Sequence, residues 1–173
     1  MIYLMTTFPP SLRQVALLAL IMLAPLGIAI AAVARSASTP TLVILGIVVM
    51  VFVVILYFVT ARHTVEVRRE RLIVRHSLYT LAIDRSAISA AKVQQVRTNN
   101  CLGLAVRTNG IAAFGYLSGW FRTGDSSRTF CAVSQGPLYL VTLEGNPDCR
   151  YLALSADAGI AAKIEAWAAG GKD

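Results

Sequence analysis

The chain has 173 residues, 56% of them apolar, and a formal net charge of +7 from 16 Lys/Arg against 9 Asp/Glu. Two long uncharged runs occupy its first third, so what remains is about one ordinary domain. Such a domain can bury a core but has little room for a deep catalytic cleft as well.

The first run, Val15 to Val33, and the second, Thr41 to Thr60, contain no charged residue. A bilayer core of about 30 Å is crossed by about 20 apolar residues at 1.5 Å of helical rise each. Two transmembrane helices are therefore expected, forming a hairpin over residues 1–61. Pro25 and Gly27 could kink the first helix and Gly46 could admit close packing in the second, but an ordinary anchor that tolerates them is the preferred reading. Tyr57 and Phe58 fall where interfacial aromatic rings settle. No ionisable group lies at membrane depth, which argues against ion transport. The competing reading of the first run is a cleaved signal peptide, with Arg13 before it and Ala32-Val33-Ala34 as a cleavage-like site. A signal h-region is usually about 7–15 residues, shorter than this run, so retention is preferred.

Lys/Arg bias sets orientation. Arg13 precedes the first run, Arg35 stands in the short connection, and Arg62, Arg68, Arg69, Arg71 and Arg75 follow the second. The arginine-rich side is expected in the cytoplasm, with both termini there. The same five arginines are the candidate membrane-surface residues, because an anionic leaflet attracts juxtamembrane cations. Topology alone is a sufficient reason for them. Basic charge also suits nucleic acid, but no recognition motif is present and nucleic acid is not an expected partner.

From Thr64 the apolar period becomes two. Val65 and Val67, then Leu72, Ile73 and Val74, bracket Arg69-Glu70 as a hairpin. Leu78, Leu81 and Ile83 suggest a third strand and Ile88 to Val96 a fourth. Asn99-Asn100 and Thr108-Asn109-Gly110 read as breaks. Trp120 to Thr123 and Thr129 to Val133 flank the turn Gly124-Asp125-Ser126-Ser127. Leu138 to Leu143 and then Tyr151, Leu152 and Leu154 are further strands, with Gly145-Asn146-Pro147-Asp148 as a turn between them. Seven or eight short strands are expected in all. Ser155 is the expected cap of a final helix over about 156–168, with Asp157 in its first turn. Ile160, Ile164 and Trp167 form its apolar stripe, and Gly170-Gly171 ends it.

The spacing of Gly110, Gly115 and Gly119, the Trp120-Phe121 that follows, the turn at Gly124-Asp125 and the helix start Ser155-Ala156-Asp157 together resemble the bacterial pleckstrin-homology-like membrane proteins. The likeness covers about residues 62–168. Phe114 stands where that family often has Pro, and Ala156 replaces the Pro after its helix cap. The resemblance implies a membrane-anchored α+β fold. Residues 62–173 would form an antiparallel β-barrel or sandwich capped by the C-terminal helix. It implies neither enzyme activity nor phosphoinositide binding.

Residue by residue, the chemistry is sparse. Gly115 to Gly119 lacks the Gly-Lys-Ser/Thr ending of a phosphate loop, so its glycines read as strand bends. Tyr116, Trp120 and Phe121 are candidates for an exposed partner surface, with core packing the favoured alternative. His63 and His76 have no carboxylate or cysteine at ligand spacing. Cys101, Cys131 and Cys149 match no zinc pattern and suit reduced, buried thiols. No catalytic motif is present, and no catalytic, cofactor or metal residue is assigned. The expected function is a non-enzymatic module on the bacterial inner membrane, spanning it twice and presenting its domain to the cytoplasm for protein binding. The alternative is an anionic-lipid surface sensor using the arginine cluster. Expected partners are the lipid bilayer and a protein, with a second copy of the chain among the candidates.

Overall fold

The structure is a computed structural model that describes residues 2–6, 8–33, 38–97 and 102–170. The expected break at Asn99-Asn100, Cys101, Gly171 and most of the connection between the runs fall outside the described residues. Strand β1 (Ile2–Thr6) precedes helices α1 (Leu12–Val33) and α2 (Thr39–Ala61). Strands β2 (His63–Arg68), β3 (Arg71–His76), β4 (Tyr79–Asp84), β5 (Ala90–Val96) and β6 (Leu104–Ala113) follow. The chain continues through β7 (Tyr116–Thr123), β8 (Arg128–Val133), β9 (Leu138–Glu144) and β10 (Tyr151–Ser155), and closes with helix α3 (Ala158–Ala169).

Both long helices are apolar enough and long enough to cross a membrane. Their side chains are largely exposed within the protein, including Ile28, Ile44, Met50 and Tyr57, so neither is the buried core helix of a globular domain. The first starts earlier than the uncharged run. Ser11 Oγ accepts from the Gln14 amide at 3.2 Å, and Gln14 Oε1 accepts from the Ser11 amide at 3.0 Å. This reciprocal capping box satisfies two otherwise orphaned donors and fixes Leu12 as the first helical residue.

The strands form two sheets, ordered β1-β2-β3-β4 and β5-β9-β10-β8-β7-β6. Segment β1, unforeseen in the sequence, pairs antiparallel with β2, Ile2 opposite Arg68 and Thr6 opposite Thr64. The chain before α1 and the chain after α2 thus share one sheet. The sheets do not close into a barrel, and the strands are not all antiparallel: β10 lies parallel to β8, between β8 and β9. The physical reason is two-sided burial. Phe130, Ala132, Leu152 and Leu154 face the main core, while Cys131, Val133 and Ala153 face a second cluster with Phe121 and Leu138. Near-continuous apolar runs suit central strands covered on both faces.

Thr108-Asn109-Gly110 is not a break. It lies inside β6, at one of two irregularities in its pairing with β7. Gly110 and Gly119 are cross-strand partners, and a Cβ on either would lie 2.6 Å from a backbone oxygen. The two backbones approach too closely there for any side chain. Tyr79 of β4 packs onto Gly119 and donates its hydroxyl to Asn109 Oδ1 at 3.1 Å, joining the edges of the two sheets.

The main core lies between the sheets, where Val65, Val74 and Leu81 meet Val141, Leu143 and Leu154. The buried side of α3 (Ile160, Ala161, Ile164 and Trp167) completes it. The helix cap is Asp157, two residues later than expected: its carboxylate accepts from the Ile160 amide at 2.8 Å. Ser155 instead ends β10, and its Oγ accepts from the Ser134 amide at 3.1 Å. Gly170 ends the helix in the left-handed conformation. Replacing a capping Asp by Ala costs about 1 kcal/mol. Asp157→Ala is therefore expected to lower unfolding stability by about that amount in denaturant titration of the detergent-solubilised chain, and Asp157→Asn by only a small fraction of it.

Candidate functional site

A polar cluster in the interior sits where α2 enters the β domain. A two-residue turn at Arg69-Glu70 sets the β2–β3 register, and that register places His63 opposite His76. The two rings meet edge to face, with centroids 4.4 Å apart. Tyr116, the first residue of β7, stacks on His76 at 5.1 Å. His76 and Tyr116 are wholly inaccessible to solvent, and His63 nearly so.

These residues converge on the last turn of α2. The Val59 carbonyl accepts from the Tyr116 hydroxyl at 3.1 Å and from His63 Nε2 at 3.1 Å. A carbonyl can only accept, so His63 carries its proton on Nε2. Helix C-termini leave carbonyls without helical partners, and here two side chains of the β domain supply donors to one of them. The adjacent main chain is tied as well: the Ser77 amide donates to the Arg62 carbonyl at 2.7 Å, and Ser118 Oγ to the His76 carbonyl at 2.9 Å. At the other helix, Gln14 Nε2 donates to the carbonyls of Phe114 and Ser134 at 3.3 and 3.1 Å. Leu18, Ile55 and Val59 of the helices then pack with Ile111, Ala113 and Tyr116 of the β6–β7 hairpin.

The electrostatics are those of a neutral cluster. Burial pushes the His76 imidazole well below its ordinary value, and the neighbouring His63 adds to the effect. Burial also lowers His63, opposed by its bonds to the Val59 and Thr60 carbonyls. The Tyr116 phenol is pushed up to about 12, chiefly by burial, with the Ser77 and Ser118 hydroxyls acting the other way. Neither ring nitrogen of His76 has a hydrogen-bond partner among the described residues, nor has His63 Nδ1. No group of three His, Cys, Asp or Glu side chains suited to a metal ion occurs among the described residues. The arrangement holds helix and sheet together and carries no accessible nucleophile.

The five arginines singled out in the sequence do not form one belt. Glu66 of β2 is buried between two of them, with Arg68 Nη2 at 2.5 Å and Arg75 Nη1 at 2.9 Å. Those guanidinium groups, Arg75 first, hold its carboxyl below the usual range. Arg71 pairs with Asp84 at 2.5 Å. Arg69 is exposed in the turn, 3.8 Å from the equally exposed Glu70. Arg62 lies at the end of α2, its guanidinium 3.5 Å from Thr80 Oγ1. Arg68, Arg69 and Arg71 cluster at the far end of the β2–β3 hairpin, about 17–20 Å along the strand from α2 at 3.3 Å per residue.

The three aromatic residues do not share an exposed face either. Tyr116 is buried under α2, and Phe121 in the second core cluster. Adjacent strand residues point to opposite faces, so Trp120 and Phe121 cannot present one surface. Trp120 is half-buried, 5.2 Å from the Phe130 ring and under the Arg128 guanidinium at 4.6 Å. Cys131 and Cys149 are free, buried thiols. Burial raises both, Cys149 to about 11.

The histidine pairing was legible in principle: the two residues stand symmetrically about the Arg69-Glu70 turn. The convergence on Val59 was not, because Tyr116 arrives from a strand far along the chain. The chain matches no protein-family model, no curated protein and no solved structure.

A histidine held neutral by folding makes stability depend on pH. Above its ordinary value of about 6.5, folded and unfolded chains both carry a neutral ring and stability is full. As pH falls below 6.5, the unfolded chain binds a proton that folded His76 does not, and stability declines toward the lowered folded value. Denaturant titrations between pH 5 and 8 are expected to show this acid-side loss. His76→Leu should reduce its slope and leave stability near neutral pH unchanged or higher, since it removes two unpartnered buried nitrogens.

Proposed function

We propose that this protein is a non-enzymatic, membrane-anchored binding module. The helices α1 and α2 cross the inner bacterial membrane as a hairpin and hold the β domain at its cytoplasmic face, both termini on that side, for contact with a protein partner. One observation carries the reading: β1 and β2 lie at the two outer ends of the helix pair and are hydrogen-bonded neighbours. A chain that leaves one sheet, crosses lipid twice and returns to the same sheet needs an even number of crossings, and the two apolar helices supply it. The arginine-weighted side then points inward.

The likeness to bacterial pleckstrin-homology-like proteins belongs to this proposal. In its support stand the β2–β3–β4 meander, the strand-rich second half and the closing helix α3. The parallel β8–β10 pair and the open sheets set limits on it. The His63–His76–Tyr116 cluster is closed to solvent and joins domain to anchor, so it offers no site to a free ligand. The anionic-lipid reading rests on fewer residues than the sequence promised. Arg68 and Arg75 are committed to Glu66, and Arg71 to Asp84, whereas Arg13 and Arg62 stand at the domain ends of the two helices.

Site-specific photocrosslinking in cells from the β domain of the full chain should recover one reproducible protein. Recovery of lipid adducts alone, with retention of the chain on the membrane strongly dependent on anionic lipid and salt, would favour the surface sensor instead. A reporter fused at the C-terminus should be active only in the cytoplasm, and activity outside would contradict the orientation.

A further inference from the structure

The β6–β7 hairpin tip is unlike the turns at the other end of its sheet. From Ile111 to Leu117 the sequence reads Ile-Ala-Ala-Phe-Gly-Tyr-Leu, with no charged side chain; the nearest charges along the strands are Arg107 and Arg122. Those turns, Gly124–Ser127 and Gly145–Asp148, carry acidic residues. At the tip, Phe114 is 53% exposed. Its backbone is left-handed (φ 50°), a conformation that a bulky side chain adopts only at a cost and that Asn or Gly adopts with less strain. A large apolar ring is thus held outward in water by a strained turn, which neither packing nor turn chemistry explains.

The tip's neighbours explain it. Ile111, Ala113 and Tyr116 pack against Leu18 and Ile55. Leu18 is six residues inside the start of α1 and Ile55 six residues before the end of α2, each about 9 Å along its helix at 1.5 Å per residue. If these helices span a hydrocarbon layer of about 30 Å, that depth is at or below its boundary. A hairpin packed beside those residues is immersed with them. Its exposed turn carbonyl is provided for: Gln14 Nε2 donates to the Phe114 carbonyl, and backbone polar groups need such partners where water is absent. Beside the tip, Ser11, Arg13, Gln14, Leu17, Phe114 and Gln135 line an open cleft of about 320 Å³. Arg13, in the first turn of α1, places its positive charge at the level of lipid phosphates.

We propose that the β6–β7 tip dips into the headgroup–acyl boundary of the bilayer that holds α1 and α2, with Phe114 as its lipid contact and Arg13 beside it facing the phosphates. This rests on the reading of α1 and α2 as spans. The domain is then seated on the membrane at three points, two helices and one hairpin, so that its orientation to the bilayer is fixed rather than left to the short links at either helix end.

The full chain in nanodiscs reconstituted with lipids brominated at shallow or deep acyl carbons tests this. Phe114→Trp should add emission that is blue-shifted and quenched most by shallow bromines, over the constant background of Trp120 and Trp167. Ala112→Trp, exposed on the same tip, is a second reporter should the first disturb the turn. Glu144→Trp, at the far end of β9, should add red-shifted emission quenched by aqueous iodide and not by bromolipid. Tyr57→Trp in α2 separates the two levels of the reading. If Tyr57→Trp is quenched by bromolipid and both tip reporters are quenched by iodide instead, the tip does not enter the bilayer and the proposal fails while the anchor stands. If Tyr57→Trp is itself unquenched by bromolipid, the spans fail and the proposal with them.

Discussion

Backbone pairing between β1 and β2 is the constraint from which the rest of the architecture follows. Thr6 faces Thr64 and Ile2 faces Arg68, so the two long helices that separate them in sequence must leave and re-enter the domain at neighbouring points. The helix pair is therefore a hairpin by construction. Strand β1 pairs with β2 and becomes the outer strand of the sheet. One segment thereby extends a sheet and aligns the anchor with the domain.

The helix ends are locked to that frame by side chains rather than by helix contacts alone. Gln14 closes the capping box of α1 and reaches two carbonyls of the β domain. Val59 of α2 offers one carbonyl to both His63 and Tyr116. Burying two imidazoles beside each other is costly unless both stay neutral, and burial enforces that state. The cluster thus exchanges some stability in acid for a defined angle between the last turn of α2 and the sheet. It also explains why two imidazoles and a phenol are buried together at this place.

Much of the fold was legible because its signals are local. The β2–β3 hairpin announces itself by alternation on both sides of Arg69-Glu70. Strand β9 is bounded by Gly-Pro and Gly-Asn-Pro turns, and α3 by its Ile160, Ile164 and Trp167 stripe. Where the reading departed from the structure, a distant partner decided the outcome. The five residues of β1 carry no turn signal and become a strand only by pairing with β2. Thr108-Asn109-Gly110 has turn chemistry, yet β7 crosses so closely at Gly110 that the segment continues as a strand. The parallel seating of β10 beside β8 leaves no mark except apolar residues on both faces. Site residues obey the same division. Arginine positions were visible, but Glu66 and Asp84 as their partners depend on register and side-chain reach. Core packing was the favoured reading of Tyr116, but its place as the floor of the helix–sheet junction was not visible.

The central claim is that the segment before α1 is an integral strand of the domain after α2. Amide hydrogen exchange of the full chain in lipid nanodiscs tests it most directly. Amides of Ile2–Thr6 that bond to β2 should exchange slowly, with protection comparable to those of β2 and β3. Exchange of that segment at the rate of an unstructured peptide, while β2 and β3 remain protected, would contradict the account.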